Sequence, residues 1–334
     1  MKYRILVLIA TMVLFACNSN KFNIEVVNLE PEKSIDNLND TIYFRQMGQI
    51  LYKNNRFYLL DSDIRDIIIC DSSFRFVNRI SKRGRGPGEY LYPSDLNLNN
   101  YGNIVLRDHQ SIFKEYDQQA NFINQVEASI QVQEGRFVID KSNSYYTCST
   151  NSFLPILKLN EYGDTTFSFG KKYNYPGNNF FTKLSQNRHL FETKDNKIIT
   201  VGTIIPSIEL YTSNGELIFQ HEIKYPALVA NFEANYEKTK NSQNTIVGLY
   251  SDVYYFEDML FLIYWERLDT QDRVNLDNML VYQIKSKSVD LMKVYNFKNS
   301  TEENTLITKI CIYNNNKLIA YNHLKNQFQF YNLN

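Results

Sequence analysis

Residues 80–95, ISKRGRGPGEYLYPSD, have the composition of an anion-binding loop. Its centre consists of alternating glycines, one proline and two cations: Arg83, Gly84, Arg85, Gly86, Pro87 and Gly88. A phosphate-binding loop joins a strand to the N-terminus of a helix, where free N–H groups face the anion. No helical pattern follows in the sequence. We therefore predict a structural turn built from the glycines and the proline, with direct ligand contact as the alternative.

The chain contains four histidines, so few residues are available for histidine-based catalysis. His109 follows VLRD and His323 follows IAYN, at equivalent positions of two repeated segments. Neither has a nucleophile or a third partner nearby in sequence, and the patterns G-x-S-x-G and H-E-x-x-H are absent. We predict no catalytic residue and assign His109 to a binding surface.

Acidic residues in DSDIRD offer carboxylate oxygens of the kind that bind Ca²⁺: Asp61, Asp63 and Asp66. The EF-hand spacing, with its glycine and distant glutamate, is absent, and Asp-rich turns between strands explain the cluster. We predict no metal ligand and no cofactor. Calcium stays open only for an alternative function, a metal-dependent hydrolase of lactones or related esters.

Long connections supply better material for ligand binding, because insertions on one face of a repeat scaffold usually carry function. YWERLDTQDRVNLDN contains the only tryptophan, and KKYNYPGNNFFTK and KYPALVANFEANYEKTKN are two further connections, the latter with helical character. The aromatic side chains of Tyr173, Tyr175 and Phe181 either stack on a sugar or peptide or pack the loops together. The predicted ligand-binding residues are Arg83, Arg85, Glu89, His109, Trp265 and Arg267.

The N-terminus, MKYRILVLIATMVLFACNSN, places two cations before an apolar run over residues 5–15. This run is far shorter than the roughly 20 residues of a membrane-spanning helix, so it indicates a secretory signal peptide. The sequence LFAC at its end resembles the bacterial lipobox, in which the cysteine is acylated. We predict a signal peptide over residues 1–16, lipidation at Cys17, a tether over residues 17–21 and a location in the cell envelope, at the outer membrane. An ordinary cleaved signal is the alternative.

One phrase of three short β-runs separated by polar turns recurs along the rest of the chain. Equivalent apolar anchors of the phrase are Phe57, Ile104, Tyr145, Ile198, Leu260 and Leu318. Their separations of 47, 41, 53, 62 and 58 residues suit propeller blades of about 40 to 50 residues with insertions. The 25 tyrosines and 22 phenylalanines also favour strands. We predict an all-β fold, a single six-bladed β-propeller of four-stranded antiparallel blades over residues 22–334.

The sixth phrase ends after FQFYNLN and lacks an outermost strand. FNIEVVNLE, residues 22–30, alternates in polarity, and we predict that it completes the sixth blade and closes the ring. Three further cysteines, Cys70, Cys148 and Cys311, lie in strand-like runs without C-x-x-C spacing. This placement indicates buried structural thiols, although the sequence leaves open whether two of them pair.

GRGPGEY, after the first blade of a chain with a lipobox and many Tyr and Asn residues, resembles the loop of NHL-like six-bladed β-propeller lipoproteins of Bacteroidota. The resemblance implies a propeller fold and an envelope location, and it implies no reaction. The 36 basic and 36 acidic residues leave no net field to attract nucleic acid. We predict a binding or scaffolding protein for a carbohydrate, peptide or protein partner, held to the membrane only by N-terminal acyl chains.

Overall fold

A computed structural model describes the chain over residues 24–38, 42–108, 111–133, 135–240, 246–267, 274–297, 305–314 and 316–333. Four strands lie before the first blade: β1 (Glu25–Asn28), β2 (Lys33–Ile35), β3 (Asn37–Leu38) and β4 (Ile42–Tyr43). Blade one consists of β5 (Met47–Lys53), β6 (Arg56–Asp61), β7 (Asp66–Asp71) and β8 (Phe76–Ile80). Blade two consists of β9 (Pro93–Leu98), β10 (Ile104–Asp108), β11 (Ile112–Tyr116) and β12 (Phe122–Glu127).

Blade three consists of β13 (Val138–Ile139), β14 (Tyr145–Cys148), β15 (Ile156–Leu159) and β16 (Thr165–Phe169). Helix α1 (Asn179–Leu184) leads to blade four, with β17 (Arg188–Glu192), β18 (Ile198–Gly202), β19 (Ser207–Tyr211) and β20 (Leu217–Glu222). Helix α2 (Pro226–Lys240) follows, and it confirms the predicted helical connection.

Blade five consists of β21 (Tyr250–Phe256), β22 (Met259–Tyr264), β25 (Asn278–Ile284) and β26 (Val289–Asn296). The short pair β23 (Glu266–Arg267) and β24 (Val274–Asn275) lies between β22 and β25 in the chain. Blade six contains β27 (Ile307–Tyr313), β28 (Lys317–Asn322) and β29 (Gln327–Asn332).

The six sheets confirm the predicted all-β propeller of four-stranded antiparallel blades. All six predicted anchors lie in the second strand of their blade, where both faces of the strand are covered. For this reason β6 and β7 read RFYLLD and DIIICD, nearly continuous apolar runs with buried side chains. Five buried apolar clusters fill the spaces between neighbouring blades and join the sheets into a ring.

The ring closes through an N-terminal strand, as predicted, but the predicted segment is wrong. Strand β2 pairs antiparallel with β29 and places Ile35 opposite Phe328, so it completes blade six. Strand β1, which lies within residues 22–30, instead pairs parallel with β26 and extends blade five. Alternating polarity made residues 22–30 a good edge strand, and it does not distinguish between the free edges of two adjacent blades.

The three cysteines within the described residues are buried and free, which confirms the predicted structural thiols and shows no pairing among them. Burial raises the pKa of Cys148 to about 11, and it raises the pKa values of Cys70 and Cys311 to about 12. The thiols are therefore protonated at neutral pH and poor nucleophiles. No helix in the described ranges has the length and apolar character required to traverse a bilayer.

Candidate ligand-binding site at the channel mouth

The first strands of the six blades surround a central channel. One face of the propeller carries the connections between successive blades and the loops between second and third strands; we call it the loop-bearing face. A cavity of about 500 Å³ opens there, where the first strands begin, and we call it the channel-mouth cavity. Among the residues that the structure describes, its ionisable lining residues are Asp95, Arg107, Arg136, His189, Asp252 and Lys309.

Both carboxylates of the channel-mouth cavity connect neighbouring blades. Asp95 of blade two accepts the Phe137 N–H of blade three at 3.0 Å, and Asp252 of blade five accepts the Ile310 N–H of blade six at 2.9 Å. Burial raises the pKa of Asp95, although two nearby guanidinium groups oppose the shift. These acids are partly committed to holding the blades together.

An ion pair joins the connection before blade three to blade five, which are not neighbours in the ring. Arg136, just before the first strand of blade three, donates from Nη2 to a carboxylate oxygen of Asp252 in blade five at 2.7 Å. His189 of blade four lies beside this pair, and its Nδ1 accepts the Arg136 backbone N–H at 3.4 Å. Burial and the Arg136 charge lower the pKa of His189 to about 3. The imidazole is therefore neutral at neutral pH, and its remaining proton lies on Nε2.

Two further cations complete the lining. Arg107 is buried and donates to Ser94 Oγ at 3.1 Å and to the Gln133 carbonyl at 3.0 Å. Lys309 donates to the Ser251 carbonyl at 2.8 Å, and no carboxylate among the described residues lies within ion-pairing distance of it. Burial lowers the pKa of Lys309 because it disfavours the ammonium form. Arg107 and Lys309 therefore add donors to the channel-mouth cavity beside its carboxylates.

The glycine-rich loop lies between β8 and β9, and no helix follows it before β9. Gly84 and Gly88 have φ values of 153° and 72°, which favour glycine, whereas Gly86 does not require positive φ. A Cβ on Gly88 would lie 2.6 Å from Phe122 Cβ, so neighbouring blade two leaves no room for a side chain. The loop thus has the geometry of a tight structural connection.

Glu89 turns back into this loop, where its carboxylate accepts the Gly86 N–H at 2.8 Å. Tyr90 is fully buried and donates its hydroxyl to the Ile80 carbonyl at 2.7 Å, which ties the end of the loop to β8. The backbone of the loop is therefore held by its own side chains. Within this loop, the groups that could bind an anion are the side chains of Arg83 and Arg85.

The predicted ligand-binding residues do not form one cluster. Arg83 and Arg85 are exposed between blades one and two, and the Arg83 guanidinium donates to the Ile64 carbonyl. Trp265 lies on blade five, across the channel, and packs half-buried against the core shared by blades one, five and six. His109 and the side chain of Arg267 lie outside the described residues. None of Arg83, Arg85, Glu89 and Trp265 lines the channel-mouth cavity. Arg83 and Arg85 lie outside it on the glycine-rich loop, which we call the rim.

Sequence reasoning missed the residues that do line the cavity. Gln49, Asp95, Asp252 and Lys309 are each the third residue of a first strand. In β5, β21 and β27 the register shifts between the first and third residues, so a bulge re-aims this side chain. The sequence signal that could have identified these residues is a polar residue that recurs at this position in otherwise apolar runs.

The long connections pack against each other. Phe181 of α1 has no exposed surface and makes edge contacts with Tyr175 at 4.8 Å and with Tyr236 of α2 at 5.3 Å between ring centroids. Tyr173 donates to Glu209 at 2.9 Å. Of the two open interpretations for these aromatic residues, the geometry favours loop packing over stacking on a ligand.

In the described part of the chain, no group of three His, Cys, Asp or Glu side chains is placed so that it could hold a metal ion. In the DSDIRD segment, one carboxylate oxygen of Asp61 accepts the N–H groups of Asp63 and Ile64, at 3.0 and 3.1 Å. This is the pattern of an Asx turn.

The fold and the polar channel mouth define a six-bladed propeller with a central cavity. A family profile described as 6-bladed beta-propeller matches residues 19–321, and the chain belongs to this family. A search of curated protein sequences gives no match.

Solved structures share this fold at low sequence identity. A Bacteroides fragilis protein whose name describes it as exported has a TM-score of 0.60 at 15% identity, over 89% of this chain and 88% of that chain. A member of the DUF4221 family from Bacteroides vulgatus has a TM-score of 0.59 at 10% identity, over 91% and 97%. Virginiamycin B lyase from Staphylococcus aureus has a TM-score of 0.50 at 10% identity, over 85% and 80%. Identities this low establish the fold alone.

Proposed function

We propose that this chain is a lipid-anchored propeller of the cell envelope that binds a ligand at its loop-bearing face, with the channel-mouth cavity as the binding site. One observation carries the proposal: six ionisable side chains from four blades and one interblade connection converge on this cavity. Concave sites with a few convergent polar groups are where proteins most often bind small molecules. The likeness to an exported Bacteroides protein agrees with an envelope location.

Binding suits these residues better than catalysis does. His189 stays neutral far below neutral pH, so its imidazole is a weak general base. The carboxylates of Asp95 and Asp252 accept backbone N–H groups, and Arg136 is held by Asp252. Side chains fixed in this way lose little freedom when a ligand arrives, which favours affinity.

Blocking the channel-mouth cavity is expected to abolish ligand capture. Ser94 lies at the cavity and is exposed, so Ser94→Trp adds an indole there without filling the core. Because it also removes the Oγ that accepts from Arg107 Nε at 3.1 Å, Ser94→Ala is the control for the lost hydrogen bond. Ligands are first identified by screening the purified mature chain against oligosaccharide and short-peptide libraries. Calorimetry should then show at least a tenfold loss of affinity for Ser94→Trp, with an unchanged circular dichroism spectrum.

The double variant Arg83→Ala/Arg85→Ala serves as the comparison at the rim. Exposed charges contribute about 0.2–1 kcal/mol each, so for the two together we expect a loss of roughly two- to thirtyfold. Abolished binding in this double variant, together with normal binding by Ser94→Trp, would move the site from the cavity to the rim. Failure of both libraries to give a ligand would overturn the proposed function.

Lipid anchoring depends on one residue in the proposal. Cys17→Ser is expected to remove incorporation of an alkyne-labelled fatty acid completely and to release the protein from the membrane fraction, because no thiol remains at the lipobox for acylation. Cys148→Ser is the matched control, since this buried thiol has no access to the acylating machinery. Absence of label in the unmutated chain would show that the N-terminus is an ordinary cleaved signal, and unchanged labelling of Cys17→Ser would place the acylation at another residue.

A further inference from the structure

The central channel has a second cavity on the other side of the propeller. That side carries the turns between first and second strands and between third and fourth strands, and we call it the turn face. A cavity of about 260 Å³ lies there, where the first strands end, and we call it the turn-face cavity. Gln49, Asp95 and Arg136 line both cavities and so lie between them. Asp95 accepts the Phe137 N–H and Arg136 pairs with Asp252, so the charges at this base are engaged.

Two opposite charges line the turn-face cavity at its outer end. Lys53 is the last residue of β5 in blade one, and Glu192 is the last residue of β17 in blade four. Much of the Lys53 side chain is exposed, but its ammonium group lies against blade two, where burial lowers its pKa. Burial raises the pKa of Glu192, and each charge opposes part of the other's shift. The two groups therefore interact through their charges, although neither a hydrogen bond nor an ion pair joins them.

The other charges that act on Glu192 belong to blade three. Asp140 pairs with Lys158 at 3.0 Å, and Lys141 is exposed in the turn that follows Asp140. None of these three side chains lines the turn-face cavity. In the turns of this face, the one position outside the described residues is 315, an uncharged asparagine.

Both charged groups keep free hydrogen-bonding capacity. Lys53 Nζ donates to the Leu98 carbonyl at 3.2 Å, which leaves two of its three N–H donors. Among the described residues, none donates a hydrogen bond to the Glu192 carboxylate, which has sites for about four. A partner with an acceptor for Lys53 and a donor for Glu192 would therefore engage both groups.

Aromatic and aliphatic side chains form much of the remaining wall. The rings of Phe191 and Tyr255 lie 6.1 Å apart between centroids, and Tyr255 is held by a hydrogen bond from its hydroxyl to Asp258 at 2.8 Å. Leu51 and Ile139 add aliphatic surface. Aromatic faces attract cations, and the wall as a whole suits an apolar group.

We propose that the turn-face cavity is a second binding site, which takes a free α-amino acid with an apolar side chain. Lys53 binds the carboxylate of this ligand and Glu192 binds its ammonium group. A ligand with a single charge would meet a like charge at one of the two residues, whereas a zwitterion complements both. The volume lies just below the roughly 300–1,000 Å³ of sites for drug-sized ligands, which limits the occupant to a small molecule. This site goes beyond the proposed function, which concerns the loop-bearing face.

L-Leucine and L-phenylalanine are the probes, each with its methyl ester and its N-acetyl form. The ester lacks the negative charge and the N-acetyl form lacks the positive charge, while the side chain is unchanged. Calorimetry on the purified mature chain should show at least tenfold tighter binding of one of these amino acids than of both its derivatives. The reason is that each derivative loses a hydrogen bond between charged groups.

Substitutions at the two charges should act on different probes. Lys53→Gln is expected to weaken binding of the amino acid about tenfold and to leave binding of its methyl ester unchanged, because the ester has no carboxylate for Lys53. Glu192→Gln should weaken binding of the amino acid and spare the N-acetyl form. Lys194→Gln is the matched control, since Lys194 is exposed in the turn after Glu192 and does not line the cavity. Thermal unfolding of each variant checks that the propeller remains folded.

Equal binding of an amino acid and either derivative would overturn the zwitterion assignment, and so would an affinity that survives in Lys53→Gln or Glu192→Gln. No binding of either amino acid would reject the site. Loss of amino-acid binding in Ser94→Trp would place the ligand in the channel-mouth cavity and would also overturn the second site. The proposed function is decided separately, by the library screen described above.

Discussion

Replacing Glu209 by alanine is expected to lower the free energy of unfolding by about 3–5 kcal/mol, the usual cost of removing one partner of a buried ion pair. Glu209 has no exposed surface, and Arg188, whose Nε lies 3.2 Å from a Glu209 oxygen, is equally buried. Without the carboxylate, the guanidinium would keep its charge in the interior of blade four.

Three hydroxyl groups depend on the same carboxylate. Tyr211 donates to it at 2.8 Å, Tyr173 at 2.9 Å and Thr200 at 3.1 Å. Tyr173 belongs to the connection after blade three, so Glu209 also holds a long loop of the loop-bearing face onto the sheet. Its removal leaves buried hydroxyl groups without a partner, which adds to the cost.

Urea unfolding of the purified chain measures this effect. Glu216→Ala is the control, because Glu216 is exposed in the same blade and surface changes of this kind cost about 0.5 kcal/mol or less. Glu209→Gln should be intermediate, since it keeps an acceptor for the hydroxyl groups and loses the charge. A Glu209→Ala variant as stable as Glu216→Ala would contradict this account of blade four.

Removing β2 is expected to open the ring and to lower stability by about 3 kcal/mol or more beyond the loss of β1. Strand β2 forms three paired rows with β29, and Ile35 packs against the core shared by blades one, five and six. Each ladder hydrogen bond contributes about 0.5–1.5 kcal/mol, and burial of an isoleucine adds about 1.5 kcal/mol. The exposed edge of β29 should also promote association.

Two truncated chains isolate this contribution. A chain that starts at residue 30 lacks β1 and keeps β2, whereas a chain that starts at residue 37 lacks both. Thermal unfolding and light scattering should show a lower Tm and more association for the shorter chain. Equal behaviour of the two chains would show that β2 does not close the ring.

The fold could be predicted because the propeller repeats a local pattern. The six anchors, from Phe57 to Leu318, needed only the alternation of short β-runs and polar turns, and each blade forms from residues close in sequence. The strand that closes the ring was harder to predict. Strands β1 (Glu25–Asn28) and β2 (Lys33–Ile35) both pair with an outer edge, on β26 and β29 respectively, and their sequence patterns do not distinguish these two edges.

The candidate site was less predictable, because its residues meet only when six blades surround one axis. Asp95 and Lys309 are 214 residues apart, and neither lies in a conspicuous motif. The glycine-rich loop attracted attention for its composition, yet its Glu89 and Tyr90 hold the loop itself. The one sequence feature that indicates these site residues is a polar residue that recurs at the third position of the first strands, next to a bulge.

The pairing of β2 with β29 also sets an order of events during synthesis. Ile35 meets Phe328, and 293 residues separate them, so β2 waits for β29 before it gains its neighbour. Ladder contacts this distant in sequence form late, because the entropy of closing so long a loop must be overcome first. Blades one to five can assemble as an open arc, and the arc becomes a circle only when β29 has formed beside β2.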